Sequence, residues 1–388
     1  MSEDIIGTVD LTYRYSGNDD PSLDDVNIRI RKGVKTVILG ANGAGKSTLF
    51  YHFNGVYRPS SGTVSFDGTF LSYRRKALRA LRSRVSVVLQ NPDDQIFGQT
   101  VEEDVAYGPR NLGLPEDEVA KRVESALNLV DMSDLRDRNT MKLSYGQRKR
   151  LALAGALAMD PEVLVMDEPT AGLDPQMALE LMELAEQLHH AGTTVVISTH
   201  DVDLAYAWAD EIHVLRHGQL IYSGDSEGFY SDPVRVYMTG VMQPSMFLIN
   251  KSLCDMRGVE EAPYPRTETQ LVSKMASGEK GRFIIAPVAD EMVPAMVDAA
   301  VRRFGGTEIR LGIYGSNSRR LLPTSGIPVD YVFDGFESCM SECLMGRDVV
   351  LLCDDDCLEI IESKIRRLED FGTTVDWAVL ERSSVPFE

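Results

Sequence analysis

Apolar residues are distributed along the chain in two ways. Up to about residue 240, short runs of successive aliphatic residues, Val34–Leu39, Val85–Leu89, Val163–Met166, Thr194–Ser198 and Ile212–Leu215, alternate with longer stretches whose apolar positions recur at helical spacing. Runs that are apolar at every position, rather than every second one, belong to strands covered on both faces. The expected fold is therefore α/β with a mostly parallel sheet. From Gln99 to Leu143 the texture changes to helices with acidic starts, such as Pro115-Glu116-Asp117-Glu118 leading into Val119–Val130. A helical subdomain over about 91–160 is thus inserted into a sheet domain spanning 1–240.

A boundary is expected after Gly240. The stretch Gly258–Thr269 holds Pro263, Pro265 and several charges with no apolar period, so 241–280 reads as a linker. The strand-like pattern then restarts with Phe283–Val288, Ile309–Ile313, Val329–Phe333, Val349–Leu352 and Thr374–Val379, with helix-like stretches between. Residues 281–388 are expected to form a small C-terminal α/β domain that is dimerising or regulatory.

Charge narrows the partners. The 388 residues carry 40 Lys+Arg and 59 Asp+Glu, a net charge of −19, so no cationic surface awaits a nucleic acid or an anionic lipid. No uncharged apolar run approaches the ~18–20 residues that span a bilayer, and Met1–Asp10 carries acids where a signal peptide carries bases. A cytosolic chain with reduced thiols is expected. Its five cysteines are odd in number and crowded toward the C-terminal end.

Gly40-Ala41-Asn42-Gly43-Ala44-Gly45-Lys46-Ser47-Thr48 follows a predicted strand and opens a helix, matching G-x-x-x-x-G-K-[ST] throughout. Glycines there let successive N–H groups converge on phosphate oxygens, and the helix adds its positive end. Lys46 is placed to reach the β- and γ-phosphates, and the Ser47 hydroxyl to ligate Mg²⁺. The run Val163–Asp167 is an apolar strand ending in an acid, with Glu168 next. Side chains alternate along a strand, so Asp167 can face the metal while Glu168 faces an attacking water as general base. On its own this acid pair also reads as a solvated turn.

With these residues in place, the sequence resembles the ATP-binding cassette (ABC) ATPases. Leu143-Ser144-Tyr145-Gly146-Gln147 is similar to the family signature LSGGQ, and Gln90 sits where the Q-loop glutamine sits. Ala171-Gly172-Leu173-Asp174 resembles the D-loop, His200 the switch histidine, and Tyr15 (or Tyr13) the adenine-stacking aromatic. The resemblance implies a P-loop fold and ATP with Mg²⁺, held by Ser47, Asp167 and Gln90. It also implies a head-to-tail dimer, of identical or paralogous subunits, with ATP clamped between one P-loop and the other subunit's signature loop. In that dimer Ser144, Gly146, Gln147 and Asp174 would meet the partner's nucleotide, while Glu168, His200 and Lys46 carry the chemistry. Tyr145 departs from the pattern by placing a ring where the family has glycine.

Gln90-Asn91-Pro92-Asp93-Asp94-Gln95-Ile96-Phe97, with Thr100–Pro109 and Asn111–Leu114, resembles energy-coupling factor importers, especially cobalt and nickel uptake ATPases. This implies a transmembrane coupling subunit, a membrane substrate-binding subunit, and a peripheral place on the cytoplasmic face. A vitamin importer and a soluble, non-transporting cassette ATPase are the alternatives. Asp93 and Asp94 either meet basic residues of a transmembrane partner or form a solvated turn. Cys339-x-x-x-Cys343 and Cys353-x-x-x-Cys357 either hold a soft metal across two helix faces or are buried small hydrophobes.

Overall fold

The computed structural model describes residues 3–288, 309–325 and 328–380. The chain divides into two units, Met1–Pro244 and Ser245–Glu388.

The first unit is built on a six-stranded sheet in the order Gln219–Gly224, Glu211–Arg216, Thr36–Leu39, Thr194–Thr199, Val163–Asp167, Val85–Val88. All neighbours are parallel except the outer hairpin formed by the first two. Thr36–Leu39, Val163–Asp167 and Thr194–Thr199 are buried at every position, as their unbroken apolar runs require. Their carboxyl ends lie side by side, the edge where α/β sheets bind ligands. Helices Val101–Asn111, Glu116–Leu129 and Tyr145–Leu157 pack on one another as the expected helical insertion.

A second, antiparallel sheet was not among the expected strands. Asp4–Tyr13 pairs with Leu23–Val26, Arg29–Arg31 and Ser61–Phe66, which also pairs with Thr69–Phe70. These strands are buried at scattered positions: Ile5, Ile6 and Leu11 are buried, while Val9 is 49% exposed. The register also shifts between Val9 and Thr12, where Asp10 has φ +50°. Burial broken up in this way presents no continuous apolar run.

In the second unit a four-stranded parallel sheet runs in the order Arg310–Tyr314, Val349–Cys353, Arg282–Pro287, Asp376–Val379. The expected strand Val329–Phe333 is absent. Only Tyr331 bridges Gly312, because Asp330 turns its carboxylate onto the Leu311 N–H (2.9 Å) and Asp334, at φ +53°, starts the helix Gly335–Leu344. The helix-like stretch expected between Phe283–Val288 and Ile309–Ile313 falls at 289–308, outside the described residues.

The reading of 241–280 as a linker also needs correction. It holds helices Ser245–Arg257 and Glu268–Met275, and Pro263 and Pro265 mark the turn between them. The second helix is fastened to the unit's core: Thr269 Oγ1 donates to the Glu337 carbonyl, and Thr373 Oγ1 to that of Ser273. The cysteines belong to that core, since Cys339, Cys343, Cys353 and Cys357 are all buried among Phe283, Leu351 and Ile361. Cys353 ends a strand and Cys357 lies in a turn, so the two pairs do not form facing helix faces. Burial pushes the Cys339 and Cys353 thiols well up and that of Cys343 to about 12.

Candidate active site

The strand Thr36–Leu39 ends in Gly40, and the helix Lys46–Phe53 begins after Gly45. Each glycine answers a local demand. A Cβ on Gly40 would sit 2.4 Å from the Leu215 carbonyl oxygen, and Gly45 has φ +105°. No side chain caps the helix, so no side chain satisfies its first N–H groups. Ala41, Asn42 and Gly43 are exposed, Ala44 and Gly45 are buried, and Ser47 is half-buried.

Lys46, 6% exposed, folds back over this loop and donates to the carbonyls of Gly40 (2.6 Å) and Ala41 (3.3 Å). Its Nζ also lies 3.1 Å from Glu168 Oε1. The other carboxylate oxygen, Oε2, is 2.9 Å from His200 Nδ1. Glu168, His200 and the P-loop lysine thus converge on one point. His200 keeps a largely solvent-facing ring, whereas Glu168 is buried. A cleft of about 420 Å³ lined by Ala41, Asn42, His200 and Met242 opens beside the loop.

Asp167 is buried at the end of its strand, where its carboxylate accepts from the Ser198 hydroxyl. Ser198 Oγ in turn accepts from the Glu168 N–H at 3.0 Å, so one hydroxyl orients both acids. Neither the P-loop pattern nor the acid pair points to Ser198; its only signal is its place near the end of an apolar run. Tyr15 hydrogen-bonds Thr48 Oγ1 through its hydroxyl (2.9 Å) and therefore stands next to the P-loop. Tyr13, the alternative, is stacked on Tyr57 at 4.9 Å and edge-on to His52. The structure separates the two: Tyr15 borders the nucleotide loop, and one face of Tyr13 is already covered.

Among the described residues, the remaining predicted ones form no hydrogen bond with the P-loop, though Gln90 follows the strand paired with Val163–Asp167. Gln90 is exposed at the bend after Val85–Val88, while Gln95 folds back to accept from Leu89 N and donate to the Val87 carbonyl. Ser144 and Gln147 form a capping box at the start of helix Tyr145–Leu157, and Asp174 caps helix Pro175–His190. Among the described residues, no hydrogen bond or ion pair joins Ser144, Gly146 or Asp174 to the loop Gly40–Thr48. Asp93 forms an ion pair with Arg148 of its own chain at 2.7 Å, an outcome that neither earlier alternative for it had included. The Tyr145 ring turns back against Gly172, leaving the helix start Ser144 exposed.

Lys149, which sequence reasoning did not single out, is buried and donates to the carbonyls of Glu168 and Pro169, each at 3.0 Å. Burial draws its pKa down to about 8 against the pull of the Glu168 and Asp167 charges.

The sequence profile of the ABC transporter family matches residues 23–171. The energy-coupling factor transporter ATP-binding protein EcfA of Methanocaldococcus jannaschii is 49% identical over 59% of this chain and 81% of its own length. The cobalt import ATP-binding protein CbiO of Rhodobacter capsulatus is 46% identical over 70% of this chain and 97% of its own. Among solved structures, cbiO1 of Clostridium perfringens, part of the transporter complex cbiONQ, superposes with a TM-score of 0.55 at 38% identity. That match covers 66% of this chain and all of the other. Fold, nucleotide loop and relatives agree: the chain belongs to the ABC transporter ATPases, enzymes that bind and hydrolyse ATP.

Proposed function

We propose that this protein is the ATP-hydrolysing subunit of an energy-coupling factor importer that takes up a transition-metal ion, cobalt or nickel, through a membrane partner. The observation that carries the hydrolytic part is the meeting of Lys46, His200 and both oxygens of Glu168 beside the P-loop. Identity to the Rhodobacter cobalt import protein along nearly its whole length supports the solute class, and the M. jannaschii relative supports the transporter type.

In this reading the backbone of Gly40–Thr48 cradles the phosphates and Lys46 leaves Glu168 for the γ-phosphate. Tyr15 stacks on the adenine. Ser47, Asp167 and Gln90 offer oxygen donors only, and the buried Asp167 carboxylate beside the P-loop fits a hard cation. When bound there, Mg²⁺ neutralises charge on the β- and γ-oxygens. Glu168 takes a proton from the attacking water, and His200 holds the phosphate and orients that water. Two subunits close head to tail, so that Ser144, Gly146, Gln147 and Asp174 of each complete the other's site. A site completed on closure couples hydrolysis to movement. Among the described residues no helix is long and apolar enough to cross a membrane, so transport in this reading needs a transmembrane partner and peripheral attachment.

The test pairs chemistry with transport. Glu168→Gln is expected to keep ATP binding and to slow hydrolysis by roughly 10²–10⁴, the range of a general base. Radiolabelled Co²⁺ and Ni²⁺ uptake in cells carrying the transporter should stop with it. Undiminished turnover removes the base; uptake of a vitamin in place of either metal overturns the solute.

A further inference from the structure

The loop that carries the acid is held in a conformation it would not choose. Glu168 has φ +46°, a left-handed value that costs a side-chain-bearing residue about 1 kcal/mol. Its amino side is fixed by Ser198, through both the hydroxyl and the main-chain carbonyl. Its carboxyl side is fixed by one side chain from elsewhere in the fold, since the ammonium of Lys149 binds the carbonyls of Glu168 and Pro169.

Lys149 lies on helix Tyr145–Leu157, and Tyr145, four residues earlier, shares its face. The Tyr145 ring rests on Gly172, where an added Cβ would come within 2.9 Å of it. The Lys149 ammonium stands 5.8 Å from the ring centroid, a cation–π distance. Between them, a Cβ on Gly146 would meet the tip of the Met177 side chain at 2.2 Å, so Met177 lies directly against the helix there. The first turn of this helix therefore grips the segment Glu168–Gly172 at both ends. A buried ammonium is expensive, and an apolar side chain would fill the space without that cost. What only a multiple donor supplies is a simultaneous hold on two carbonyls.

We propose that Lys149, supported by Tyr145, is a positioning residue for hydrolysis, holding the left-handed peptide of Glu168 so that its carboxylate stays aimed at the attacking water. This rests on the reading of Glu168 as the base. It also gives the ring at position 145 a task that a glycine there would leave undone.

The experiment measures steady-state turnover and MgATP binding on the full-length protein, alongside Glu168→Gln. Lys149→Met is expected to lower kcat roughly 10- to 100-fold, the cost of a misplaced reacting group, with the dissociation constant for MgATP within about twofold of wild type. Lys149→Arg, which keeps several donors, should recover most of the loss. Tyr145→Gly should lower kcat several-fold, again without weakening binding, and Tyr145→Phe should match wild type. If Lys149→Met does not fold, Lys149→Gln is measured in its place. The proposal is overturned if kcat is unchanged, if binding falls as much as kcat, or if arginine rescues no better than methionine. An unchanged kcat with Glu168→Gln inactive removes only this proposal, whereas a fully active Glu168→Gln removes the reading beneath it.

Discussion

The turns Gly40–Lys46 and Tyr314–Ser318 share a local plan: a strand of a parallel sheet, a glycine with little room around it, then a helix. Their helix starts are treated in opposite ways. Helix Lys46–Phe53 has no side-chain cap, and the Glu168 carboxylate beside the loop is held on Lys46. Helix Ser316–Ser325 receives the chain's own anion: Asp354 accepts from the N–H groups of Asn317 (3.0 Å) and Ser318 (2.6 Å) and from the Ser318 hydroxyl. A helix start attracts negative charge wherever it occurs. What separates a nucleotide loop from a piece of architecture is whether the fold has already supplied that charge. Burial pushes the Asp354 carboxyl above the usual range, with the hydrogen bonds opposing it. Asp354, Asp356 and Cys357 do offer donor atoms within 4.8 Å of one another, but both oxygens of Asp354 are committed to this capping.

The contrast is sharpest in catalysis. Lys46→Ala should reduce ATP turnover roughly 10²–10³-fold, since charge stabilisation is most of what a P-loop contributes. Asp354→Ala should leave turnover at the wild-type level in a coupled ATPase assay. A comparable loss from both would erase the distinction between the two loops.

Acid should also separate the two units. His213 is fully buried on the strand paired with the P-loop strand, and burial pulls its pKa from 6.5 to about 4. A depressed value means the stabilisation is complete above pH 6.5 and is lost as pH falls through the folded value. Between pH 6.5 and 4 the first unit should lose roughly 3 kcal/mol. The two tryptophans report separately, because Trp208 lies in the first unit and Trp377 in the second. Melting followed in Trp377→Phe should therefore shift with acid, and adding His213→Leu should flatten that shift.

A smaller effect is expected from Asp354→Ala on its own unit, about 2 kcal/mol for a lost cap and buried N–H groups left without an acceptor. Denaturant melting of Trp208→Phe reads this through Trp377. A drop in the first unit instead would mean the capping role is misassigned.

The catalytic unit was legible because its signals are local. Gly40–Thr48 is a contiguous pattern, and Val163–Asp167 is an apolar run ending in its acid. Tyr15 could not be separated from Tyr13 until Thr48 was seen to bind one hydroxyl and Tyr57 to cover the other ring. Lys149 escaped notice because its acceptors are main-chain carbonyls, which carry no sequence signal at all. The antiparallel sheet escaped because its strands bury scattered positions rather than an unbroken apolar run. The turn at Pro263 and Pro265 passed for a linker because a proline-rich turn reads alike whether or not packed helices flank it.

The pairing of Lys46 with Glu168 bears on fuel economy. The three N–H groups of Lys46 are taken by the Gly40 and Ala41 carbonyls and by Glu168, so an incoming triphosphate must displace one of them, and the like-charged Glu168 is the one it repels. In the proposed mechanism the nucleotide thereby unlocks the very group that acts on it. An engine wired this way idles quietly, because its ignition and its fuel arrive as one molecule.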